Sequence, residues 1–241
     1  MSEGLPVPRS SGPGAVRAAR PGAGMLTSAA VAILFVLLFG LWIRAQGGAP
    51  TEVDRWWHGA VGLEPGPPAF VLASALAWIG SSLGVTACVV IASAALLTRR
   101  RFRAAAALCT AAVIGVILSE ALKAFVARPR PIDALLHPPG YSYPSGHSIG
   151  AAAFAVSLSL IVILAGRASR ATRHWAVVGA TAWVLVMMWS RAAVRVHWLT
   201  DTIAGALLGT AAALIAGALW LRAGRDPEPA VERVDERPPG D

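Results

Sequence analysis

The chain has 241 residues, of which 56% are hydrophobic and only 14% are charged. Soluble domains carry about a quarter charged residues, so this composition excludes an ordinary soluble domain and predicts a protein surrounded largely by lipid. The formal net charge of +8 does not indicate a nucleic-acid partner, because the arginines lie in short clusters between apolar runs. Cys88 and Cys109 lie inside such runs and indicate neither a disulfide framework nor a metal site.

The N-terminal part predicts a polar tail followed by a membrane span. Residues 1–24 are rich in Gly, Pro, Ala and Arg and predict a disordered tail. Residues 25–43 carry no charge and are long enough to cross a bilayer. A cleaved signal peptide is the competing interpretation, but this apolar run exceeds its usual length. Residues 46–67 predict an external loop with a short interfacial helix at Trp56 and Trp57, although an ordinary loop with two core aromatic residues fits equally well.

The rest of the chain predicts five further spans. Residues 68–98 are uncharged and longer than one span requires, which indicates tilt or a break near residues 80–84. A basic segment at 99–103, a proline-rich loop at 128–144 and a basic loop at 167–174 separate the later spans, and residues 223–241 predict a second disordered tail. We therefore expect an all-α, integral membrane six-helix bundle, with one domain over residues 25–222. The remaining spans are 104–127, 148–166, 175–190 and 202–221.

The distribution of basic residues predicts the orientation of this bundle. The two tails and the loops at 99–103 and 167–173 hold 14 of the 21 cations, and the opposite side holds seven. Because positively charged loops stay in the cytoplasm, both termini are expected on the cytoplasmic side. The membrane is expected to be the plasma membrane of the cell. The loops at 45–67, 128–146 and 191–201 are then external.

Five of the external cations lie at the ends of the third and fifth spans or in the loops that follow them, which indicates an anion site. They are Lys123, Arg128, Arg130, Arg191 and Arg195. Lys123 is the only lysine of the chain, and Glu120 lies one turn before it as a possible ion-pair partner. Simple snorkelling of Lys123 to the interface is an equal alternative. For Arg128 and Arg195, contact with headgroups or solvent is the preferred interpretation.

The segment Pro144-Ser145-Gly146-His147 opens the fourth span. A helix N-terminus offers free N–H groups to an anion, and Gly146 lets the backbone approach it closely. Ser145 would add a hydroxyl donor, and His147 would point at the bound group as a proton donor. A structural cap with an interfacial histidine is the rival interpretation.

His197 and Asp201 are four residues apart at the start of the last span, which places them on one face of a helix. Asp201 can accept the Nδ1–H of His197 and leave Nε2 as a nucleophile of raised basicity. A local hydrogen bond that only anchors the helix is the alternative. Although Glu120, Asp201 and the two histidines are possible metal ligands, the surrounding cations would repel a divalent ion, so no metal and no cofactor is predicted.

Three ordered blocks resemble the signature of the type 2 phosphatidic acid phosphatase family, which also includes bacterial acid phosphatases and vanadium haloperoxidases. The family pattern is K-x6-R-P, then P-S-G-H, then S-R-x5-H-x3-D, and the chain matches every fixed position between Lys123 and Asp201. The resemblance implies that His197 forms a phosphohistidine, that Asp201 orients it and that His147 protonates the leaving oxygen. It also implies that Lys123, Arg130, Ser145, Gly146 and Arg191 hold the phosphoryl oxygens.

The resemblance further implies a membrane lipid phosphate or diphosphate as substrate. Undecaprenyl diphosphate, phosphatidic acid and phosphatidylglycerol phosphate all fit, and the sequence does not choose among them. It does not indicate an oligomeric state. A lipid phosphotransferase would use the same phosphohistidine but pass the phosphate to an alcohol. A non-enzymatic anion-binding membrane protein is a weaker alternative, because binding alone needs no His–Asp pair.

Overall fold

The computed structural model describes residues 21–66, 68–164 and 168–221, and every regular element in those segments is a helix. Residues 1–20 of the predicted N-terminal tail and the whole predicted C-terminal tail, 223–241, lie outside the described residues. In chain order the helices are α1 (Pro21–Ala45), α2 (Glu52–Val61), α3 (Pro68–Ile79), α4 (Ser82–Thr98), α5 (Phe102–Val126), α6 (Gly146–Leu164), α7 (Arg170–Ala193) and α8 (Leu199–Trp220).

Five of the described helices, α1, α5, α6, α7 and α8, are long and apolar enough to cross a membrane. The helices α3 and α4 are long and apolar enough only when taken together, and they are bent by 58° at the break between them. The described residues therefore hold five candidate spans, or six if this bent pair is counted as one span. Large apolar side chains such as Trp78, Leu83, Val90 and Ile91 are exposed on the outside of the bundle, as expected where lipid is the solvent. The all-α membrane fold predicted from the sequence is confirmed.

The break between α3 and α4 falls at Gly80 and Ser81, inside the interval predicted from the sequence. The Ser81 hydroxyl accepts a hydrogen bond from the Gly84 N–H at 3.1 Å and so caps the new helix. A Cβ on Gly84 would lie 2.3 Å from the carbonyl oxygen of Ile79. The sharp turn therefore needs glycine at this position.

The first helix begins earlier than predicted, at Pro21 instead of residue 25. Proline suits the first turn of a helix, because the N–H it lacks would have no partner there. Residues 21–24 therefore belong to α1 and not to the predicted disordered tail. The predicted short helix in the 46–67 loop is present as α2, where Thr51 and Asp54 form a reciprocal cap.

Helix α8 packs against α1, α5, α6 and α7, so it forms the centre of the bundle. Its contact with α6 is made at the backbone. A Cβ on Gly205 would lie 2.5 Å from the Ser145 carbonyl oxygen, and one on Gly209 would lie 2.2 Å from that of Ile149. Small residues allow this close approach, which holds the start of α6 against the start of α8.

Candidate active site

One cavity of about 750 Å³ collects residues from all three sequence blocks. The end of α5, the loop after it, the start of α6, the end of α7 and the loop before α8 each contribute to its wall. Six of the eight predicted site residues line it: Lys123, Arg130, Gly146, His147, Arg191 and His197. Ser145 and Asp201 are fully buried and lie outside this lining.

Two arginines are fixed at the cavity wall by hydrogen bonds to backbone carbonyls. Arg130 Nη1 donates to the Val196 carbonyl at 3.0 Å, and Arg191 Nη2 donates to that of Ala73 at 3.1 Å. Burial lowers the pKa of Arg130, and the nearby Asp201 carboxylate partly opposes this effect. Fixed, partly desolvated guanidinium groups present a strong and oriented positive charge to an anion.

Lys123 lies beside the start of α6, as the anion-site prediction requires. A Cβ on Gly146 would lie 3.4 Å from Lys123 Nζ, so the ammonium approaches the glycine backbone closely. Lys123 Nζ also donates to Glu120 Oε1 at 3.0 Å, which confirms the predicted pair one turn apart. The ammonium and the N-terminus of α6 therefore face the same volume.

His197 is almost fully buried and meets two groups of opposite character. Its Nδ1 lies 3.6 Å from Asp201 Oδ2, slightly longer than a hydrogen bond. Its Nε2 lies 3.2 Å from Arg130 Nη1. Burial lowers the pKa of His197, against the opposing effect of Asp201. The ring is therefore neutral at pH 7 and presents one nitrogen to the cavity.

Asp201 is held from two sides by groups other than His197. Its Oδ2 accepts the N–H of Trp198 at 2.9 Å, which caps the start of α8. Its Oδ1 accepts Arg128 Nη1 at 2.7 Å. The orientation of the carboxylate is therefore set by the helix cap and by Arg128.

His147 lines the cavity, whereas Ser145 does not. The His147 ring lines it, and Nε2 lies 3.2 Å from the Ala77 carbonyl oxygen, to which it can donate. The Ser145 hydroxyl instead accepts from the Ser148 N–H at 3.4 Å and from the Ser148 hydroxyl at 3.2 Å. Ser145 thus serves as a helix cap in this structure, and its predicted contact with phosphate stays a prediction.

Contact of Arg128 with headgroups or solvent, the interpretation preferred from the sequence, is wrong. Arg128 is fully buried and forms ion pairs with Asp54 and Asp201. Asp54 was not recognised from the sequence at all. Arg195 is partly exposed and is also paired, with Asp133 at 3.0 Å and Glu64 at 3.3 Å.

Beyond the charged end, the cavity continues as an apolar arm between α4, α5 and α6. Leu108, Val113, Val116 and Ile117 form its α5 wall. Fifteen residues separate Lys123 from Leu108 on this helix, and at about 1.5 Å of rise per residue the arm runs roughly 22 Å from the charged end. The shape and polarity match a molecule with an anionic head and a hydrocarbon tail.

In the part of the chain that the structure describes, no group of three or more His, Cys, Asp or Glu side chains is placed to hold a metal ion. Glu120 is engaged by Lys123, and Asp201 by Arg128 and the helix cap. The donor set at the cavity is cationic, which suits a phosphate better than a divalent metal.

Comparison with known proteins identifies the family of the chain. A family model described as the PAP2 superfamily matches residues 104–225, just over half of the chain. An undecaprenyl-diphosphatase of Sulfolobus acidocaldarius is 34% identical over 105 residues, which make up 41% of this chain and 46% of that protein. The match therefore spans less than half the length of this relative.

Two solved structures share the fold. A transmembrane PAP2 type phosphatidylglycerolphosphate phosphatase from Bacillus subtilis has a TM-score of 0.66 at 22% identity, over 80% of this chain and 95% of that one. Aquifex aeolicus LpxE has a TM-score of 0.53 at 23% identity, over 68% and 92% of the two chains. At these identities the likeness concerns the fold and not the substrate.

Proposed function

The chain belongs to the PAP2 superfamily, and we propose that it is a membrane lipid phosphatase that hydrolyses a lipid phosphate or diphosphate through a phosphohistidine at His197. One observation carries the proposal. A single cavity has His197 and three cations at one end and an apolar arm of roughly 22 Å at the other. A soluble phosphate ester would need only the charged end.

In the first chemical step, the lone pair of His197 Nε2 attacks phosphorus and the bond between phosphorus and the leaving oxygen breaks. His147 gives a proton to that oxygen. Water then attacks the phosphohistidine, the nitrogen–phosphorus bond breaks, and His147 accepts the proton of the water. The covalent intermediate divides one difficult displacement into two easier steps.

The cations stabilise charge on the transferring group. Lys123, Arg130 and Arg191 line the same cavity as His197, and we expect them to bind the three phosphoryl oxygens. Asp201 stabilises the proton on Nδ1 as the ring becomes positively charged. Catalysis then consists mainly of positioning and of electrostatic stabilisation by groups that are already in place.

The reaction needs no metal ion, because the three cations supply the charge neutralisation that a metal would otherwise give. Chelation by EDTA should therefore leave the rate of phosphate release unchanged. A rate that falls on chelation and returns with a divalent metal would contradict this part of the proposal.

Undecaprenyl diphosphate, phosphatidic acid and phosphatidylglycerol phosphate are the candidate substrates. The named activity of the curated relative, an undecaprenyl-diphosphatase, supports a diphosphate lipid. We expect the purified protein to release phosphate from at least one of these lipids faster than from a water-soluble phosphate ester. Equal rates on the soluble ester would contradict a lipid-directed site.

A tryptophan in the apolar arm tests the same point. Ala112 lines the arm, so Ala112→Trp should raise KM for the lipid substrate while leaving hydrolysis of a short-chain ester unchanged. Ala121→Trp is the matched control, since Ala121 lies on the exposed surface of α5 outside the cavity lining. If both variants behave alike, the arm does not hold the lipid tail.

A further inference from the structure

A fully buried network of charges lies behind the proposed catalytic pair, and nothing in the family signature accounts for it. Arg128 sits at its centre between two carboxylates. Its Nη2 donates to Asp54 Oδ2 at 2.8 Å, and its Nη1 donates to Asp201 Oδ1 at 2.7 Å. All three side chains are fully buried.

The guanidinium group has its hydrogen-bonding capacity filled. Besides the two carboxylates, Nη1 donates to the Thr200 hydroxyl at 2.8 Å, Nε donates to the Gly48 carbonyl at 3.3 Å, and Nη2 donates to that of Ala49 at 3.2 Å. Such saturation is what a buried ion pair requires to offset its desolvation. The position of Arg128 is therefore closely determined.

Asp54 is fixed just as closely, from helix α2 and from the start of α8. Its Oδ1 accepts the Thr200 N–H at 2.9 Å, and its Oδ2 accepts the Thr200 hydroxyl at 2.9 Å and the Thr51 N–H at 3.0 Å. Burial would raise the pKa of Asp54, but these hydrogen bonds and the charge of Arg128 hold it below its usual range. Asp54 is thus a permanent anion.

We infer that Asp54 and Arg128 are positioning residues that act on His197 through Asp201. Arg128 holds one carboxylate oxygen of Asp201, and the other then faces His197 Nδ1. Asp54 balances the charge of Arg128, so the negative charge of Asp201 remains available to the imidazole. The inference rests on the proposed roles of His197 and Asp201.

The sign of the effect follows from the charges around His197. Asp201 faces its Nδ1 side, while Arg130, Arg191 and His147 face it from the loop, α7 and α6. Without the Asp54 charge, Arg128 would act on His197 as an uncompensated cation. Protonation of His197 would then become harder, and Nε2 would become a weaker nucleophile.

Asp54→Asn tests this role, because the change removes the charge and keeps the size. We expect kcat for lipid phosphate hydrolysis to fall roughly 10- to 100-fold with KM within about twofold, as for other residues that orient a reacting side chain. The acidic limb of the profile of kcat/KM against pH should move to lower pH. A residue that only supports folding would lower the rate equally at every pH.

Asp133→Asn is the matched control. Asp133 lies in the loop between α5 and α6, pairs with His58 and with the cation Arg195, and contacts neither Asp201 nor His197 in the described residues. It should leave the pH profile where it is in the wild-type protein. An equal shift in both variants would overturn the inference.

Titration of His197 by 15N NMR in histidine-labelled protein gives a readout that needs no substrate. The midpoint of the His197 titration should fall in Asp54→Asn and stay unchanged in Asp133→Asn. An unchanged midpoint in folded Asp54→Asn overturns the inference.

If Asp54→Asn does not fold, the same titration is measured in Arg128→Lys, which keeps the charge but cannot bridge both carboxylates. If neither variant folds, the network is needed for folding, and the inference that it positions His197 is overturned. If the wild-type protein hydrolyses no lipid phosphate but the midpoint still falls in Asp54→Asn, the proposed function is wrong. The effect of the buried network on the pKa of His197 is then still supported.

Discussion

At the scale of single residues, the surroundings of His197 determine which ring nitrogen can act. An arginine N–H can only donate, so Arg130 Nη1 at 3.2 Å makes Nε2 an acceptor. The ring proton then lies on Nδ1, on the side of Asp201 Oδ2. Because burial keeps the pKa of His197 below its usual range, Nε2 carries no proton at pH 7.

Arg130→Lys tests the geometry of the phosphate cradle at constant charge. Lysine cannot reproduce the planar fork of arginine, so we expect kcat/KM to fall on the order of 100-fold, as when a donor to a transition-state oxygen is removed. Initial rates of phosphate release measure the effect. Arg195→Lys is the control, because Arg195 pairs with Asp133 and Glu64 outside the cavity lining. A comparable loss in the control would contradict a special role for Arg130.

The sequence indicated the cavity residues because they occur in three short motifs with fixed spacing and order. It did not indicate Asp54 or the true environment of Arg128, because those contacts join positions 74 residues apart, and 146 apart for Asp54 and Thr200. Arg128 and Arg130 are separated only by Pro129 and look alike in the sequence. Only the path of the backbone sends one into the buried network and the other into the cavity.

At the scale of helices, the site depends on how closely α6 and α8 approach. The start of α6 carries Gly146 and His147, and α8 begins at Leu199, two residues after His197. The Ser145 N–H also donates to the Asp201 carbonyl at 3.0 Å, which ties the two helix starts together. The glycines of α8 are therefore part of what positions the chemistry.

Gly209→Ala tests this helix contact. Its methyl group would lie 2.2 Å from the Ile149 carbonyl oxygen, so we expect destabilisation of about 1–3 kcal/mol, as for other overpacked interiors, and a lower thermal unfolding midpoint in detergent. Gly179→Ala is the control, because a Cβ there meets nothing within 4 Å. The control should be neutral or stabilising by about 0.5–1 kcal/mol, since alanine favours a helix. Equal midpoints in the two variants would show that the contact is not tight.

The membrane-spanning helices and their approximate positions could be predicted from hydrophobic runs. Their exact ends could not, because capping and first-turn residues outside those runs set them. Pro21 starts α1 before the apolar run, and Ser169 caps α7 through the Thr172 N–H ahead of the predicted fifth span. The break at Gly80 and Ser81 could be placed within a few residues, because glycine and serine interrupt an otherwise apolar segment. The 58° angle follows from packing that the sequence does not display.

At the scale of the whole molecule, all the proposed site residues lie at one end of the bundle, and the charge distribution predicts that this end is external. Cysteine labelling tests the orientation in a Cys88→Ala, Cys109→Ala background. A membrane-impermeant maleimide applied to intact cells should label Tyr141→Cys, which is exposed near the cavity, and should not label Arg101→Cys, in the opposite loop. The reverse pattern would place the site in the cytoplasm.

The central claim is that His197 carries the phosphoryl group during turnover, and rapid quenching under alkaline conditions tests it most directly. With a lipid phosphate or diphosphate labelled in the transferred phosphate, the wild-type protein should trap one labelled histidine, assigned to His197 by mass spectrometry. His197→Ala should trap no label and release no phosphate while still inserting into the membrane. Full hydrolysis by His197→Ala, or a label on another residue, would contradict the account.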